Sequence, residues 1–171
     1  MYNAGLQFEI NVEQHLEIQV GNILRERKLT LALAESCTGG LVSDRITNVP
    51  GSSEYFLGGI VAYAYGAKVS LLNVTWDSLK AYGAVSREVV LEMAHGARKA
   101  LNADTAASIS GIAGPGGGTL EKPVGTVWLA VAAPDGAWTR EFHFSGSREQ
   151  IKSFSADSAL QFILDYLQGK I

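Results

Sequence analysis

Two glycine-rich turns, each placed directly after a short apolar segment, most constrain the fold of this chain. The apolar segment 29–34 is followed by the turn 36–40 (Ser-Cys-Thr-Gly-Gly), and the segment 105–110 is followed by the run 111–118, which contains five glycines. Short apolar runs bounded by such turns are typical of buried strands. Glycine permits positive φ angles and a close approach of the backbone to a ligand. Because ligands of α/β sheets bind at strand ends, the sequence predicts an α/β fold with its site at these turns.

The remaining pattern divides the chain between helices and strands. Apolar residues at helical spacing predict a helix over 12–26, with Asn11 as its N-cap, and a second helix that starts at Ser86 and continues to about Leu101. Further helices are predicted at 41–47, 67–72, 76–82 and 148–167, and further strands at 59–65, 124–133 and 138–144. The last two strands flank Pro134-Asp135-Gly136 as a hairpin, so the sheet cannot be wholly parallel. This order of elements predicts a single-domain mixed β-sheet flanked by helices.

The chain is expected to form one domain over residues 1–171, because it contains no internal repeat and no linker. Residues 1–10 are expected to be a loosely ordered N-terminal extension. They lack the basic segment and apolar run of a secretory signal, and no apolar stretch reaches the roughly 18 residues of a membrane span. We therefore expect a cytoplasmic globular protein that has no membrane partner.

The net charge of the chain and its cysteine content exclude some classes of ligand from those expected. The formal net charge is −3, whereas a sequence-independent grip on nucleic acid needs clustered Lys and Arg, so no nucleic-acid partner is expected. The single cysteine, Cys37, cannot form an internal disulfide, and no Cys/His cluster has the spacing of metal ligands. No metal is therefore expected. A local pocket can still bind a phosphate-bearing small molecule.

The turn 36–40 lies between a strand and a helix, where free backbone N–H groups and the positive end of the helix dipole suit an anion or an oxyanion. Ser36 or Thr38 could equally be the cap of that helix, so both interpretations stay open. Cys37 could be a nucleophile or a small buried filler. The run 111–118 is either a ligand-facing loop or a surface connection. It is not a Walker loop, because no Gly-Lys-Ser/Thr follows it.

Tyr63 and Lys68 stand at the end of the second predicted strand. A lysine can act as general base toward a serine if burial lowers its pKa, although most lysines are solvated surface charges. Lowering the pKa from about 10.4 to near 7.5 would cost roughly 4 kcal/mol, so such a site would have to exclude water. The histidines His15, His95 and His143 are scattered and form no Ser-His-Asp pattern. If a serine is the nucleophile, lysine is the better candidate base.

Five segments together resemble the CinA C-terminal domain family. They are 34–40 (Ala-Glu-Ser-Cys-Thr-Gly-Gly), 50–53 (Pro-Gly-Ser-Ser), 83–86 (Gly-Ala-Val-Ser), 110–118 (Ser-Gly-Ile-Ala-Gly-Pro-Gly-Gly-Gly) and 121–127 (Glu-Lys-Pro-Val-Gly-Thr-Val). The match runs from about residue 12 to residue 168. The family includes bacterial nicotinamide mononucleotide deamidases, so the resemblance implies hydrolysis of nicotinamide mononucleotide to nicotinic acid mononucleotide and ammonia. It also implies the family's fold, a nucleotide substrate, no metal or organic cofactor, and a homodimer or larger homo-oligomer.

The resemblance also assigns roles to individual residues. Ser36 would be the nucleophile and Lys68 its general base. Tyr63 and Ser110 would assist proton transfer or orientation, and Arg148 would contact the substrate. The two glycine turns would bind the substrate through Thr38, Gly39, Gly40, Gly111, Gly114, Gly116 and Gly117.

One stretch departs from the family. Its deamidases commonly read Tyr-Ser-Asn-x-x-Lys where residues 63–68 of this chain read Tyr-Ala-Tyr-Gly-Ala-Lys. An Asn side chain offers a donor and an acceptor that Ala64 and Tyr65 do not offer in the same place. Two alternatives therefore stand beside the deamidase. One is a catalytically inactive nucleotide-binding module of the competence/damage-inducible CinA type, and the other is an amidase for a different small amide. In larger relatives a separate N-terminal domain precedes this one, so the resemblance is to the stand-alone form.

Overall fold

The strands of the chain form one mixed sheet. The computed structural model describes residues 15–171. Its strands are β1 (Leu31–Glu35), β2 (Phe56–Val61), β3 (Thr105–Gly111), β4 (Thr126–Ala133) and β5 (Gly136–His143). They lie in the order β2-β1-β3-β4-β5, with β1 parallel to both β2 and β3, and with β4 antiparallel to both β3 and β5. The predicted mixed sheet is therefore confirmed.

Six α-helices accompany this sheet within residues 15–171. They are α1 (Leu16–Arg27), α2 (Leu41–Thr47), α3 (Tyr65–Leu72), α4 (Trp76–Tyr82), α5 (Arg87–Ala100) and α6 (Arg148–Leu167). A short 3₁₀ turn at Ser52–Glu54 precedes β2. None of the helices described here combines the length and the apolar character that crossing a bilayer requires. The predicted α/β arrangement, with helices on both faces of the sheet, is confirmed.

Most predicted helix bounds agree with the structure. Helices α2 and α4 span 41–47 and 76–82 as predicted. Ser86 is the N-cap of α5, and its hydroxyl accepts a backbone N–H three residues further on, as expected for a capping serine. The predicted N-cap Asn11 and the expected extension 1–10 lie outside the described residues.

The second strand differs from its predicted bounds, 59–65. It spans Phe56–Val61, and α3 begins four residues after its end. The carbonyl oxygens of Ala62 and Tyr63 accept hydrogen bonds from the side chain of Lys68, and the N–H of Ala62 still donates to the Glu35 carbonyl oxygen of β1. The chain therefore leaves the sheet early, and α3 returns Lys68 toward it.

The two faces of the sheet carry side chains of different size, as the alternation of a strand allows. Toward α1, α2 and α6 the sheet presents the larger apolar side chains Leu31, Leu33, Ile109, Val127, Leu129 and Val131. Toward α3, α4 and α5 it presents the small side chains Ala32, Ala34, Ala106, Ser108, Ala130 and Ala132. These small residues let α5 lie close to the sheet, where the hydroxyl of Ser108 donates to the Val90 carbonyl oxygen over 2.6 Å.

A single glycine sets the contact between α3 and α5. A Cβ atom at Gly96, in α5, would overlap the carbonyl group of Leu72 at the end of α3. The absence of a side chain therefore allows the two helices to touch backbone to backbone. Because α3 also carries Lys68, this contact helps to fix the position of that lysine relative to the sheet.

Candidate active site

The carboxyl ends of the three parallel strands lie at one edge of the sheet. Ser36 follows β1 directly, Lys68 lies in the helix after β2, and the run 111–118 begins at the last residue of β3. The chain moves to one side of β1 for β2 and to the other side for β3. Such a change of direction leaves a crevice at the strand ends, which is where α/β proteins bind their ligands.

Ser36 and Lys68 form a buried pair at this edge. The Nζ atom of Lys68 lies 2.9 Å from Ser36 Oγ, 2.7 Å from the Ala62 carbonyl oxygen and 3.1 Å from the Tyr63 carbonyl oxygen. Lys68 is 1% exposed and Ser36 is 8% exposed. A neutral amine has two N–H bonds and one lone pair. The two carbonyl groups accept those N–H bonds, so the lone pair is left for the hydroxyl of Ser36.

The surroundings of Lys68 favour this neutral form. Burial lowers the pKa of Lys68 to about 8, while the nearby Cys37 acts weakly in the opposite direction. Compared with an ordinary lysine, the lower pKa corresponds to about 3 kcal/mol of free energy that disfavours the ammonium form. About half of the Lys68 side chains are therefore neutral near pH 8 and a smaller share near pH 7, and it is this neutral share that can act as a general base.

The start of α2 is occupied by the side chain of Glu35, which is fully buried. Its carboxylate accepts the N–H groups of Gly40 (2.9 Å), Val42 (3.2 Å) and Ser43 (2.8 Å), and also the hydroxyl of Ser43 (2.6 Å). The unpaired N–H groups and the dipole of a helix N-terminus favour such an anion. The prediction that these N–H groups are free for a substrate anion is therefore wrong. The N-cap position is Gly40, so the alternative in which Ser36 or Thr38 caps this helix is wrong.

Gly39 and Gly40 shape the turn, with φ angles of +64° and +100°. The N–H of Gly39 donates to the Ser36 carbonyl oxygen over 3.1 Å, and that of Gly40 donates to the carboxylate described above. Neither glycine thus has a free N–H group, and contact of either with a substrate stays a prediction. The N–H groups of Cys37 and Thr38, in contrast, donate to no backbone carbonyl within residues 15–171. Groups in this position could face an oxyanion formed beside Ser36.

Cys37 and Thr38 are both buried beside the nucleophile candidate. Burial raises the pKa of the Cys37 thiol to about 12, against the smaller opposing effects of the Lys68 and Lys152 charges. The thiol therefore stays protonated at neutral pH and is unsuited to nucleophilic attack, and Cys37 packs in the apolar core between the sheet and α6. The Oγ1 atom of Thr38 is buried and has no hydrogen-bond partner among the described residues.

Arg148 joins two loops at the mouth of the site. Its guanidinium donates to the Gly114 carbonyl oxygen over 2.7 Å and to the Tyr63 hydroxyl over 3.1 Å. Gly114 has a φ of +78°, and a Cβ atom there would meet the Val124 side chain at 2.5 Å, so only glycine suits this turn. The exposed Tyr63 ring thus lies beside Arg148, while the Tyr63 carbonyl binds Lys68.

Ser110 lies next to the pair, because the β1–β3 register aligns Ile109 with the residue that precedes Ser36. Its hydroxyl donates to the Ala84 carbonyl oxygen over 2.7 Å. Ala84 in turn donates its N–H to the Tyr65 hydroxyl over 3.4 Å. The observed bond of Ser110 therefore holds the loop 83–86, and its predicted part in proton transfer stays a prediction.

A cavity of about 200 Å³ is bounded by the loop 83–86 and by residues of the run 111–118. It is lined by Tyr65, Gly83, Ala84, Val85, Ile112, Gly117, Thr119 and Lys122. Lys122 closes its outer rim by donating to the Tyr82 and Val85 carbonyl oxygens. Tyr65, the residue that departs from the family pattern, therefore forms a wall of this cavity.

Three further glycines that were predicted to contact the substrate, Gly111, Gly116 and Gly117, have different surroundings. Gly111 packs against Val127 of β4, where a Cβ atom would lie 2.6 Å from the valine side chain. Its lack of a side chain is thus explained by strand packing. Gly117 lines the cavity, whereas Gly116 has no atom near its would-be Cβ position. The predicted substrate contacts of all three remain predictions.

Two residues of the site escaped the sequence analysis. Glu35 could have been suspected, because it is a charged residue that ends an otherwise apolar strand shortly before a helix start. Lys152 lies one helical turn after Arg148, and its Nζ is 3.9 Å from the position that a Cβ atom of Gly39 would take. Within residues 15–171 no group of three or more His, Cys, Asp or Glu side chains is arranged to hold a metal ion.

The sequence of the chain is similar to that of a known protein family. The family described as the CinA C-terminal domain matches residues 13–167. The chain is 51% identical over 148 residues to a CinA-like protein of Desulfotalea psychrophila, which covers 86% of this chain and 36% of that protein. It is 48% identical over 163 residues to a CinA-like protein of a Thermotoga species, which covers 95% of this chain and 40% of that protein. The chain thus spans well under half the length of these relatives.

Solved structures of similar length share the fold. The competence/damage inducible protein CihA of Agrobacterium tumefaciens matches with a TM-score of 0.85 and 38% identity, over 90% of this chain and 96% of that one. A protein of the competence-damaged protein (CinA) superfamily from Klebsiella pneumoniae matches with a TM-score of 0.87 and 32% identity, again over 90% and 96%. Sequence and fold therefore agree on one group of proteins.

Proposed function

The chain belongs to the CinA C-terminal domain family, and on that premise we propose that it is an amidohydrolase that converts nicotinamide mononucleotide to nicotinic acid mononucleotide and ammonia. The observation that carries the proposal is the buried contact of 2.9 Å between Lys68 Nζ and Ser36 Oγ. A serine is a weak nucleophile unless a neighbouring base takes its proton. Lys68 has the position and the lowered pKa for that task.

In the first half of the reaction, Ser36 Oγ attacks the carboxamide carbon while the lone pair of Lys68 Nζ takes the hydroxyl proton. The carbonyl oxygen becomes an oxyanion, which the N–H groups of Cys37 and Thr38 would stabilise. Collapse of this intermediate breaks the C–N bond. The proton held on Lys68 passes to the leaving nitrogen, which departs as ammonia and leaves an ester on Ser36.

In the second half, a water molecule repeats the attack on this ester. Lys68, neutral again, takes a proton from the water as its oxygen bonds to the acyl carbon. The C–O bond to Ser36 then breaks, and Lys68 returns the proton to the serine oxygen. The carboxyl product leaves and the pair is restored. The sum is amide plus water giving acid plus ammonia.

The test is ammonia release from nicotinamide mononucleotide by the purified chain. We expect Ser36→Ala to abolish release, and Lys68→Met to lower the rate by about 10²–10⁴-fold, which is the usual contribution of a general base. Ser70→Ala is the matched control, because Ser70 is exposed on the same helix as Lys68. Release that persists in Ser36→Ala at the wild-type rate would contradict the assignment of the nucleophile.

A second function is favoured by one observation, the Tyr65 side chain in the cavity wall where the family's deamidases commonly have asparagine. On this alternative the chain binds a nucleotide but does not hydrolyse it. A folded wild-type chain that binds the mononucleotide and releases no ammonia, while Tyr65→Asn does release it, would support the binding module. Activity of the wild type would reject it.

The Tyr65 side chain in the cavity wall also bears on which amide the chain hydrolyses. A chain that releases ammonia from another small amide, but not from the mononucleotide, would keep the Ser36–Lys68 chemistry and change the substrate. A comparison of nicotinamide mononucleotide, nicotinamide riboside and free nicotinamide separates these cases. The proposal predicts that the mononucleotide is hydrolysed fastest.

A further inference from the structure

Four consecutive carbonyl groups between α4 and α5 accept hydrogen bonds from side chains. They belong to Tyr82, Gly83, Ala84 and Val85. Lys122 Nζ donates to the first over 2.6 Å and to the last over 2.8 Å. Ser86 Oγ, within the same loop 83–86, donates to the second over 2.8 Å, and Ser110 Oγ of β3 donates to the third over 2.7 Å. Among the described residues, Lys122 thus supplies two of the three bonds that reach these carbonyls from elsewhere in the fold.

The loop 83–86 also contacts both elements that carry the candidate pair. On one side it binds Ser110, which follows Ile109, and the Ile109 carbonyl oxygen accepts the Ser36 N–H over 3.0 Å. On the other side a backbone N–H of the loop donates to the Tyr65 hydroxyl over 3.4 Å. Tyr65 lies on α3, three residues before Lys68. A displacement of the loop would therefore act on both partners of the 2.9 Å contact.

A closed turn presents the Lys122 side chain to this loop. Thr119 donates its N–H to the Lys122 carbonyl oxygen over 2.8 Å, and its hydroxyl accepts the Lys122 N–H over 3.0 Å. The ammonium group lies at the carboxyl end of α4, where the helix dipole favours a cation. None of the ion pairs found within residues 15–171 includes this ammonium group, so its two carbonyl bonds set its position. Lys122 therefore connects the loop after β3 with the loop 83–86.

We propose that Lys122 is a positioning residue of the active site, which holds the loop 83–86 against β3 and α3 and thereby keeps Ser36 and Lys68 in contact. Its effect on the reaction rests on the proposed function, whereas its effect on the contact does not. Three residues of this loop line the same cavity as Tyr65. Without the two bonds from Lys122, the cavity wall is free to move away from α3, and water gains access to Lys68.

The kinetic test compares ammonia release by the wild type, Lys122→Met, Lys122→Arg and Lys80→Met. Lys122→Met keeps an apolar stem and removes both bonds, so we expect kcat to fall about tenfold and KM to change by less than about twofold, since a misplaced base costs rate rather than binding. Lys122→Arg should restore most of kcat, because a guanidinium can donate to two carbonyls. Lys80→Met is the matched control and should behave like the wild type, since Lys80 is an exposed lysine in the last turn of α4.

A wild-type kcat in Lys122→Met would overturn the proposal. An equal loss in Lys80→Met would overturn it too, because only the charge at the end of α4 would then matter. Melting temperatures show whether each variant is folded. If Lys122→Met does not fold, Lys122→Gln takes its place, since the shorter amide side chain cannot make both bonds, and its kcat should fall similarly.

A second measurement does not depend on activity. The titration of Lys68 is followed by NMR on the chain with ¹³C-labelled lysine, in the wild type and in Lys122→Met. Lys68 is enclosed by the Ser36 hydroxyl, two carbonyl groups and the nearby Cys37, and burial lowers its pKa to about 8. We expect Lys122→Met to move this titration upward by about one pH unit, because water then solvates the ammonium group.

An unchanged titration of Lys68 in Lys122→Met would overturn the proposal. If the wild type releases no ammonia but the titration moves as expected, the proposed function fails and the positioning role of Lys122 stands. If the wild type is active and neither kcat nor the titration changes in the variant, the positioning role fails and the proposed function stands.

Discussion

Lys68 shows how one residue acquires a chemical property from its surroundings. Its side chain is enclosed on the small-residue face of the sheet, where solvation of an ammonium group is poor. Two backbone carbonyls hold the amine without neutralising its charge. The pKa therefore falls to about 8, while the nitrogen stays within reach of Ser36. Position and basicity have one cause, because the burial that fixes the side chain also lowers its pKa.

The rate of ammonia release should follow the titration of Lys68. Because the neutral amine is the active form in the proposed mechanism, we expect kcat/KM to rise about tenfold per pH unit below the pKa and to level off above about pH 8. Lys68→Arg is the control, since a guanidinium does not lose its proton and the variant should be nearly inactive at every pH. A wild-type profile that is flat from pH 6 to about 9 would contradict the role of Lys68 as base.

Folding stability gives a second readout of the same titration. Between about pH 8, where Lys68 titrates in the folded chain, and about 10.4, the value in an unfolded chain, the unfolded state binds more protons. The free energy of unfolding should thus rise with pH in this window by about 3 kcal/mol, relative to Lys68→Met. Denaturant titrations of both proteins at several pH values measure the difference. An unchanged difference would show that burial does not lower the pKa of Lys68, and that the folded chain keeps its ammonium form throughout this window.

At the scale of elements, the site depends on where α3 lies. This helix carries Lys68 and touches α5 through Leu72 and Gly96. On the opposite face, α2 is held at its start by Glu35, whose neighbour in sequence is the nucleophile candidate. The Ser36–Lys68 pair therefore connects the end of β1 with α3, and separate contacts position these two elements.

We expect Gly96→Ala to push α3 away from α5, because the new methyl group would overlap the Leu72 carbonyl. Such overpacking usually costs about 1–3 kcal/mol of stability, and it should also lower kcat because Lys68 moves with α3. Gly66→Ala is the matched control on α3 itself, since nothing lies near its would-be Cβ atom. That variant should gain about 0.4–1 kcal/mol. Equal melting temperatures of the two variants would contradict the packing argument.

The differences between the predicted and the observed secondary structure also concern individual elements. The bounds of α2 and α4, the serine cap of α5 and the closing hairpin followed from local pattern, since capping and periodicity are local properties. The extent of β2 did not follow from local pattern. The carbonyl groups of Ala62 and Tyr63, just after this strand, bind the side chain of Lys68, which lies six and five residues further along the chain. Glu35 was missed for a related reason. Its partners become neighbours only when the turn 36–40 folds back.

At the scale of the molecule, the sheet has one open edge beside the site. Among residues 15–171, the strand β2 pairs only with β1, and it exposes Leu57 and Val61. Val61 lies close to Gly40, and the exposed Tyr63 follows it. An edge strand with apolar side chains is suited to pairing with a second copy about a twofold axis. A partner on this edge would border the crevice of the Ser36–Lys68 pair.

We therefore expect the purified chain to sediment as a homodimer or a larger homo-oligomer at micromolar concentration. Leu57→Lys should shift it toward monomer, because a charge on the apolar edge must be desolvated in the interface. Leu120→Lys is the control, since Leu120 is fully exposed on the loop after β3. Sedimentation of the wild type as a monomer, or equal dissociation of both variants, would contradict the expectation.

The buried thiol of Cys37 has a consequence for how the proposed activity would respond to oxidants. Peroxides and disulfides react with the thiolate of a cysteine, and a pKa of about 12 leaves almost none of it at neutral pH. The nucleophile proposed beside it is the hydroxyl of Ser36, which peroxides do not oxidise in the way they oxidise a cysteine thiolate. An amide hydrolase built on Ser36 and Lys68 would keep working during oxidative stress, when enzymes that rely on a cysteine nucleophile lose activity.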